Sequence, residues 1–227
     1  MPVMGAKKYL VTALLLALLM SIPGVCQASA VVKEISTLPG SGWYTDNPLP
    51  SQVIPADAVQ SELKYLSQNK IFDNTPINVD LYDQQVYRTS EGVKVPYGGT
   101  SFDGNIYIFA GYWGADTVSS AIVHEIGHLI RHYYVTDAEL QTYMAMRGVK
   151  DETLMDGVTS LWEELFAEDF RTLFGDEHAQ VPQYDFYNTI AKPDQQDKQF
   201  IIQCIEEKTG GGGNPVVPAV GAPSGAW

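Results

Sequence analysis

The chain has 227 residues, 45% of them hydrophobic, with 27 acidic side chains against 14 basic ones and a formal charge of −13. That length and apolar content support one domain with its own core. The acidic balance argues against nucleic acid and anionic membrane surfaces as partners.

Residues 1–30 have the layout of a secretory signal peptide. Lys7 and Lys8 open it, an apolar run from Leu10 to Met20 follows, and Ala28-Ser29-Ala30 offers a small-x-small cleavage site. The apolar run is short for a membrane span. Cleavage would remove two lysines and no acid, taking the formal charge to −15. Cys26 would leave with the segment, so Cys204 would have no partner within the chain. In its apolar, helix-compatible surroundings Cys204 reads as a buried, inert thiol. The expectation is a secreted, extracellular monomer that keeps no membrane anchor after cleavage.

Residues 31–55 are rich in Pro, Gly and Ser and read as an extended lead-in. A helix is expected over 56–69, with Val59, Leu63 and Leu66 on one face. Short strands follow at 77–82, 85–89 and 93–97, where β-branched and aromatic residues alternate with polar ones. Gly98-Gly99 reads as a turn or a point of close approach. The strongest strand is 105–110, expected to border a cleft and to pair with an extended peptide. A helix is expected from 117 to about 134, with Asp116 or Thr117 as its cap and Ile122, Ile126, Leu129 and Ile130 as its apolar stripe. Further helices are expected over 137–146, 160–174, 182–190 and 194–208. Residues 209–227, rich in Gly and Pro, read as a flexible tail. The fold class is therefore α+β, a small mixed sheet followed by a mainly helical lobe, within one domain over 56–208.

The central helix carries His124-Glu125-Ile126-Gly127-His128. Residues four apart lie on one helix face, so both imidazoles can reach one metal ion. Glu125 is about 100° off that face, placed to act on water rather than on the metal. Two such ligands plus a general base is the arrangement of a zinc metalloprotease. Gly127 costs a helix about 1 kcal/mol relative to Ala. A small residue there permits close packing near the metal.

A catalytic zinc takes three protein ligands and an open position. The longer pattern with a third histidine is excluded, because Arg131 and Tyr134 occupy its Gly and His positions. His132 is a turn too far along the helix, and His178 reads as surface. The remaining candidates lie in Trp162-Glu163-Glu164-Leu165-Phe166-Ala167-Glu168-Asp169-Phe170-Arg171. Glu164 and Glu168 share one face of an apolar helix, where an acid needs a partner or a metal.

Together, His-Glu-Ile-Gly-His and Glu-Glu-Leu-Phe-Ala-Glu-Asp-Phe-Arg 36 residues later resemble the gluzincin metallopeptidases similar to anthrax lethal factor. In size and layout the chain is most similar to the small secreted Pro-Pro endopeptidases of that group. The resemblance covers about residues 56–208 and implies a zincin fold for the helical lobe. It implies one Zn²⁺ per chain, held by His124, His128 and Glu164, with Glu125 as general base and Glu168 orienting a zinc-binding histidine. It implies hydrolysis of peptide bonds, with a preference for Pro-Pro bonds in an extended, proline-rich substrate. Tyr97, Gly98, Gly99, Tyr112, Trp113 and Glu163 are the candidates for contact with that substrate. The sequence departs from the family at Gly157, where the family has a Tyr that donates a hydrogen bond to the transition state. Asp156 and Val158 do not replace it. Tyr133, Tyr134, Tyr143 and His132 are the alternatives. Two rival readings stand beside this one: a gluzincin of broad specificity, and a catalytically weak, zinc-holding peptide-binding protein.

Overall fold

The computed structural model describes residues 28–33, 43–44, 56–69, 72, 75, 77–82, 86–90, 93–97, 99–102, 105–109, 115–150, 160–182 and 184–209. In chain order the strands are β1 (Ala28–Lys33), β2 (Trp43–Tyr44), β3 (Ile77–Tyr82), β4 (Val86–Ser90), β5 (Val93–Tyr97), β6 (Gly99–Phe102) and β7 (Asn105–Phe109). The helices are α1 (Ala56–Ser67), which precedes β3, then α2 (Ala115–Tyr134), α3 (Asp137–Met146), α4 (Leu161–Phe174) and α5 (Gln195–Thr209). The class is α+β.

The larger sheet has the order β1-β3-β7-β6. Strands β1, β3 and β7 are parallel and β6 is antiparallel to β7, so the sheet is mixed. Alternation divides it into two faces. Val79 and Leu81 of β3 pair with Ile106 and Ile108 of β7, and all four belong to the main core. On the other face Tyr82 stacks near Tyr107 and Phe109, with ring centroids 6.4 and 5.6 Å apart. The second sheet is antiparallel, β2-β4-β5.

These strands fall on three of the segments discussed above. The segment 31–55, read as a lead-in, carries β2 and the last part of β1, so it contributes strands to both sheets. The expected cleavage boundary after residue 30 falls inside β1: Ala28, Ser29 and Ala30 pair with Ile77, Asn78 and Val79. The strand over 105–109 is flanked by β3 and β6. Both its edges are occupied, so it has no free edge for a peptide. Strand β6, which begins at Gly99, is the edge beside α2.

Helices α1, α2, α4 and α5 close over the core face. Val59, Leu63 and Leu66 of α1 are buried at the spacing of one helix face, as are Val118, Ile122, Ile126, Leu129 and Ile130 of α2. Helix α2 begins at Ala115, so Asp116 and Thr117 lie in its first turn rather than before it. Thr136 caps α3 in a capping box with Glu139, whose carboxylate also meets Lys208 Nζ of α5 at 2.9 Å. Gly148, at φ 75°, ends α3 in the left-handed region, with Val149 N bonded back to Met144 O. Residues 182–190 do not form the expected α-helix. Short 3-10 turns at His178–Gln180 and Asp185–Asn188 take that stretch around the end of α4. Cys204 is buried, and burial pushes its thiol up to about 11, which keeps it protonated and unreactive. Among the described residues no helix is long and apolar enough to cross a membrane.

Candidate metal centre

The site forms where α2 crosses α4. Gly127 sets the distance between the two helices: a Cβ there would lie 2.7 Å from Ala167 Cα and 3.1 Å from Phe170 Cβ. The two small residues let the backbones meet. That approach carries the carboxylate face of α4 up to the imidazoles of α2.

His124 and His128 sit one turn apart with ring centroids 4.9 Å apart and planes at 81°. Their Nε2 atoms are 3.2 Å from each other. Glu164 Oε2 lies 3.1 Å from His124 Nε2 and 3.6 Å from His128 Nε2. One ligand atom from each of the three residues fits within 4.8 Å of the others, so the three are placed to hold a metal ion.

Behind this group is a buried orienting chain. His124 Nδ1 meets Glu168 Oε2 at 3.1 Å. Arg171 donates to both oxygens of Glu168, through Nε at 3.0 Å and Nη2 at 2.8 Å, and Arg171 Nη1 donates to the Ala179 carbonyl. Glu168 and Arg171 are 0% and 1% exposed. Glu168 thus accepts from Nδ1 and holds the ring with Nε2 facing Glu164 and His128, the nitrogen that a metal would take in place of a proton.

The electrostatics point the same way. Burial lowers the pKa of His124, but the carboxylates of Glu164 and Glu168 outweigh it and raise the group to about 9. His128 is also raised; burial pulls it down and Glu164 more than restores it. Burial pushes Glu164 up, but the two imidazoles leave it below the usual carboxylate range. Such a site favours positive charge at the point where two imidazoles and a carboxylate converge. A divalent cation supplies that charge with the imidazoles neutral.

Glu125 is half-buried on the same helix, near enough for its charge to raise both histidines. Glu163, a candidate for substrate contact, pairs with Arg131 Nη2 of α2 at 2.9 Å. Gly99 opens the edge strand β6, and Tyr97 ends β5. Gly98, Tyr112 and Trp113 lie outside the described residues, as do Asp156, Gly157 and Val158. Two of the alternatives for the absent Tyr, Tyr143 and Tyr134, hold hydrogen bonds to other side chains. Buried Tyr143 donates to Asp169 at 2.9 Å, buried Tyr134 shares a 2.9 Å hydrogen bond with Thr75, and Tyr133 packs on the rings of His132 and Tyr134.

One residue at the site escaped sequence reasoning. Tyr184 places its ring 5.7 Å from that of His124. Its signal was the aromatic density of Tyr184, Phe186 and Tyr187, which reads equally well as the apolar face of a helix. No family model, no curated protein and no solved structure matches the chain.

Proposed function

We propose that this chain is a secreted zinc metalloendopeptidase. The observation that carries the reading is the convergence of His124, His128 and Glu164, with Glu125 on the same helix as the two histidines. Two imidazole nitrogens, one carboxylate oxygen and an open position form the usual donor set of catalytic zinc. When bound, zinc supplies Lewis-acid activation of water and of the peptide carbonyl. Glu125 accepts a proton from the attacking water and delivers it to the amine nitrogen that leaves. Glu168 and Arg171 keep His124 in the tautomer and orientation that a ligand needs. An extended substrate adds to the outer edge of β6, which no strand among the described residues occupies, and main-chain hydrogen bonds set its direction past the site. Preference for a Pro-Pro bond is the finer part of the proposal and rests on the motif resemblance.

The test is a timed digest of a peptide library by the wild type and Glu125→Gln, with the metal content of each measured. The variant keeps the shape and polarity of Glu125 but lacks the base. Zinc stoichiometry should stay near one in both, and turnover should fall by roughly 10²–10⁴-fold. Equal rates would remove Glu125 from the mechanism. A wild type that holds zinc and cuts nothing would favour the peptide-binding alternative.

A further inference from the structure

Beside His124 lies an aromatic pair that the hydrolytic chemistry does not use. The Tyr184 ring is 5.7 Å from the His124 ring, inclined at 46°. It stacks on Phe186 with centroids 5.1 Å apart and planes at 20°. His124 is 4% exposed and Tyr184 is 36% exposed. Tyr184 therefore touches a buried metal-ligating side chain and also faces water, as a side chain bordering the access to the site must.

The pair is held from both ends. On one side the Val181 carbonyl accepts a hydrogen bond from Ser120, one turn ahead of His124 on α2. On the other, Tyr187 donates to Asp169 Oδ1 at 2.9 Å, and Phe186 and Tyr187 pack on the core. Tyr184 itself is in extended conformation, φ −132° and ψ 150°, at the entry to the 3-10 turn. A ring platform anchored in this way loses little freedom when a ligand settles on it. Its surface is flat and largely apolar, and a ring on the ligand presents the matching shape.

We propose that Tyr184, backed by Phe186, forms a specificity subsite that receives a ring-bearing side chain, proline or aromatic, of the substrate residue next to the scissile bond. The inference rests on the peptidase reading and names what that site selects. The role belongs to the ring rather than the hydroxyl, which makes Tyr184→Phe conservative and Tyr184→Ala disruptive.

The binding test needs no turnover. Protein loaded with Co²⁺ is titrated with acetohydroxamate and benzohydroxamate, two chelators that differ by a phenyl ring, and the visible spectrum of the cobalt is read. The preference of the wild type for benzohydroxamate should be kept by Tyr184→Phe and reduced about three- to tenfold by Tyr184→Ala. Cobalt content and acetohydroxamate affinity should be the same in all three. In digests, Tyr184→Ala should raise KM for peptides with a ring beside the cut more than it raises KM for alanine peptides, and Tyr184→Phe should keep the wild-type ratio of the two. An unchanged preference in Tyr184→Ala overturns the subsite. Ring-selective hydroxamate binding by a protein that cuts no peptide overturns the peptidase reading and leaves the ring-binding site standing. A protein that takes up no Co²⁺ overturns both.

Discussion

Glu163 and Glu164 are neighbours of the same chemistry with opposite surroundings. Glu164 is 7% exposed and faces both imidazoles, whereas Glu163 turns toward the guanidinium of Arg131. Removing the first deletes a candidate ligand; removing the second takes away one of two carboxylates at Arg131 Nη2, which still pairs with Asp137. Glu164→Ala should therefore lose tight zinc binding, while Glu163→Ala should retain about one zinc per chain. Elemental analysis after dialysis against a weak chelator decides it, and the reverse pattern would overturn the assignment. The pairing of His124 and His128 was legible in the sequence, because a helix converts four-residue spacing into a shared face; Glu164 was singled out from Glu168 only by the motif resemblance. The contact between Tyr184 and His124 was not legible. It joins segments 60 residues apart through the path of the chain around α4, which local pattern does not encode.

At the scale of elements, the crossing of α2 over α4 determines whether the ligands meet at all. Alanine at 127 would favour the helix by about 1 kcal/mol on propensity. Its Cβ, however, would sit 2.7 Å from the Cα of Ala167 and 3.0 Å from the Ala167 carbonyl oxygen, backbone atoms that cannot rotate away. Overpacking of this kind costs roughly 1–3 kcal/mol, so the clash outweighs the propensity gain. Gly127→Ala should lower the denaturant midpoint of the metal-free protein. It should also weaken metal binding, because separating the helices withdraws Glu164 from His124 and His128. A midpoint at or above wild type would show that α4 yields without strain. Elements of clear period were legible: β3, β5 and α3 occupy the spans expected of them. The exceptions have physical causes. Gly98-Gly99 reads as punctuation, yet Gly99 begins β6, because pairing with β7 supplies the order that glycine lacks. Residues 182–190 carry helix-like apolar spacing, but Tyr187 bonds to Asp169 and Thr172 and holds the stretch as a short 3-10 turn.

Across the whole molecule, buried acids tie the helices together, and all but one of those that follow have a cationic or imidazole partner. Asp169 accepts from Arg147, Tyr143 and Tyr187, joining α4 to α3 and to the turn before α5. Asp197 of α5 meets the same arginine at 3.4 Å, Glu168 has Arg171, and Glu164 has the imidazoles. Glu62 of α1 differs. It is 1% exposed, its Oε1 accepts from Asp176 N at 3.2 Å, and its Oε2 has no hydrogen-bond partner among the described residues. Burial, reinforced by the nearby Asp176 carboxyl, raises its pKa from 4.5 to about 8. The folded protein therefore keeps a proton that the unfolded chain releases above about 4.5. With more protons bound in the folded state, stability falls as pH rises through that window. The contribution of neutral Glu62 is complete below the lower value and lost above the upper one. Glu62→Gln presents a neutral amide at every pH and keeps an oxygen for Asp176 N. Relative to wild type, the variant should be nearly equal in stability at pH 5 and gain roughly 1 kcal/mol per pH unit toward pH 8. Urea unfolding of both proteins at pH 5, 6.5 and 8 measures that difference directly. The metal ligands titrate in both proteins and cancel from the comparison. Stability profiles that run parallel across this range would mean that Glu62 is ionised in the folded state, and that some other group supplies the positive charge its carboxylate requires.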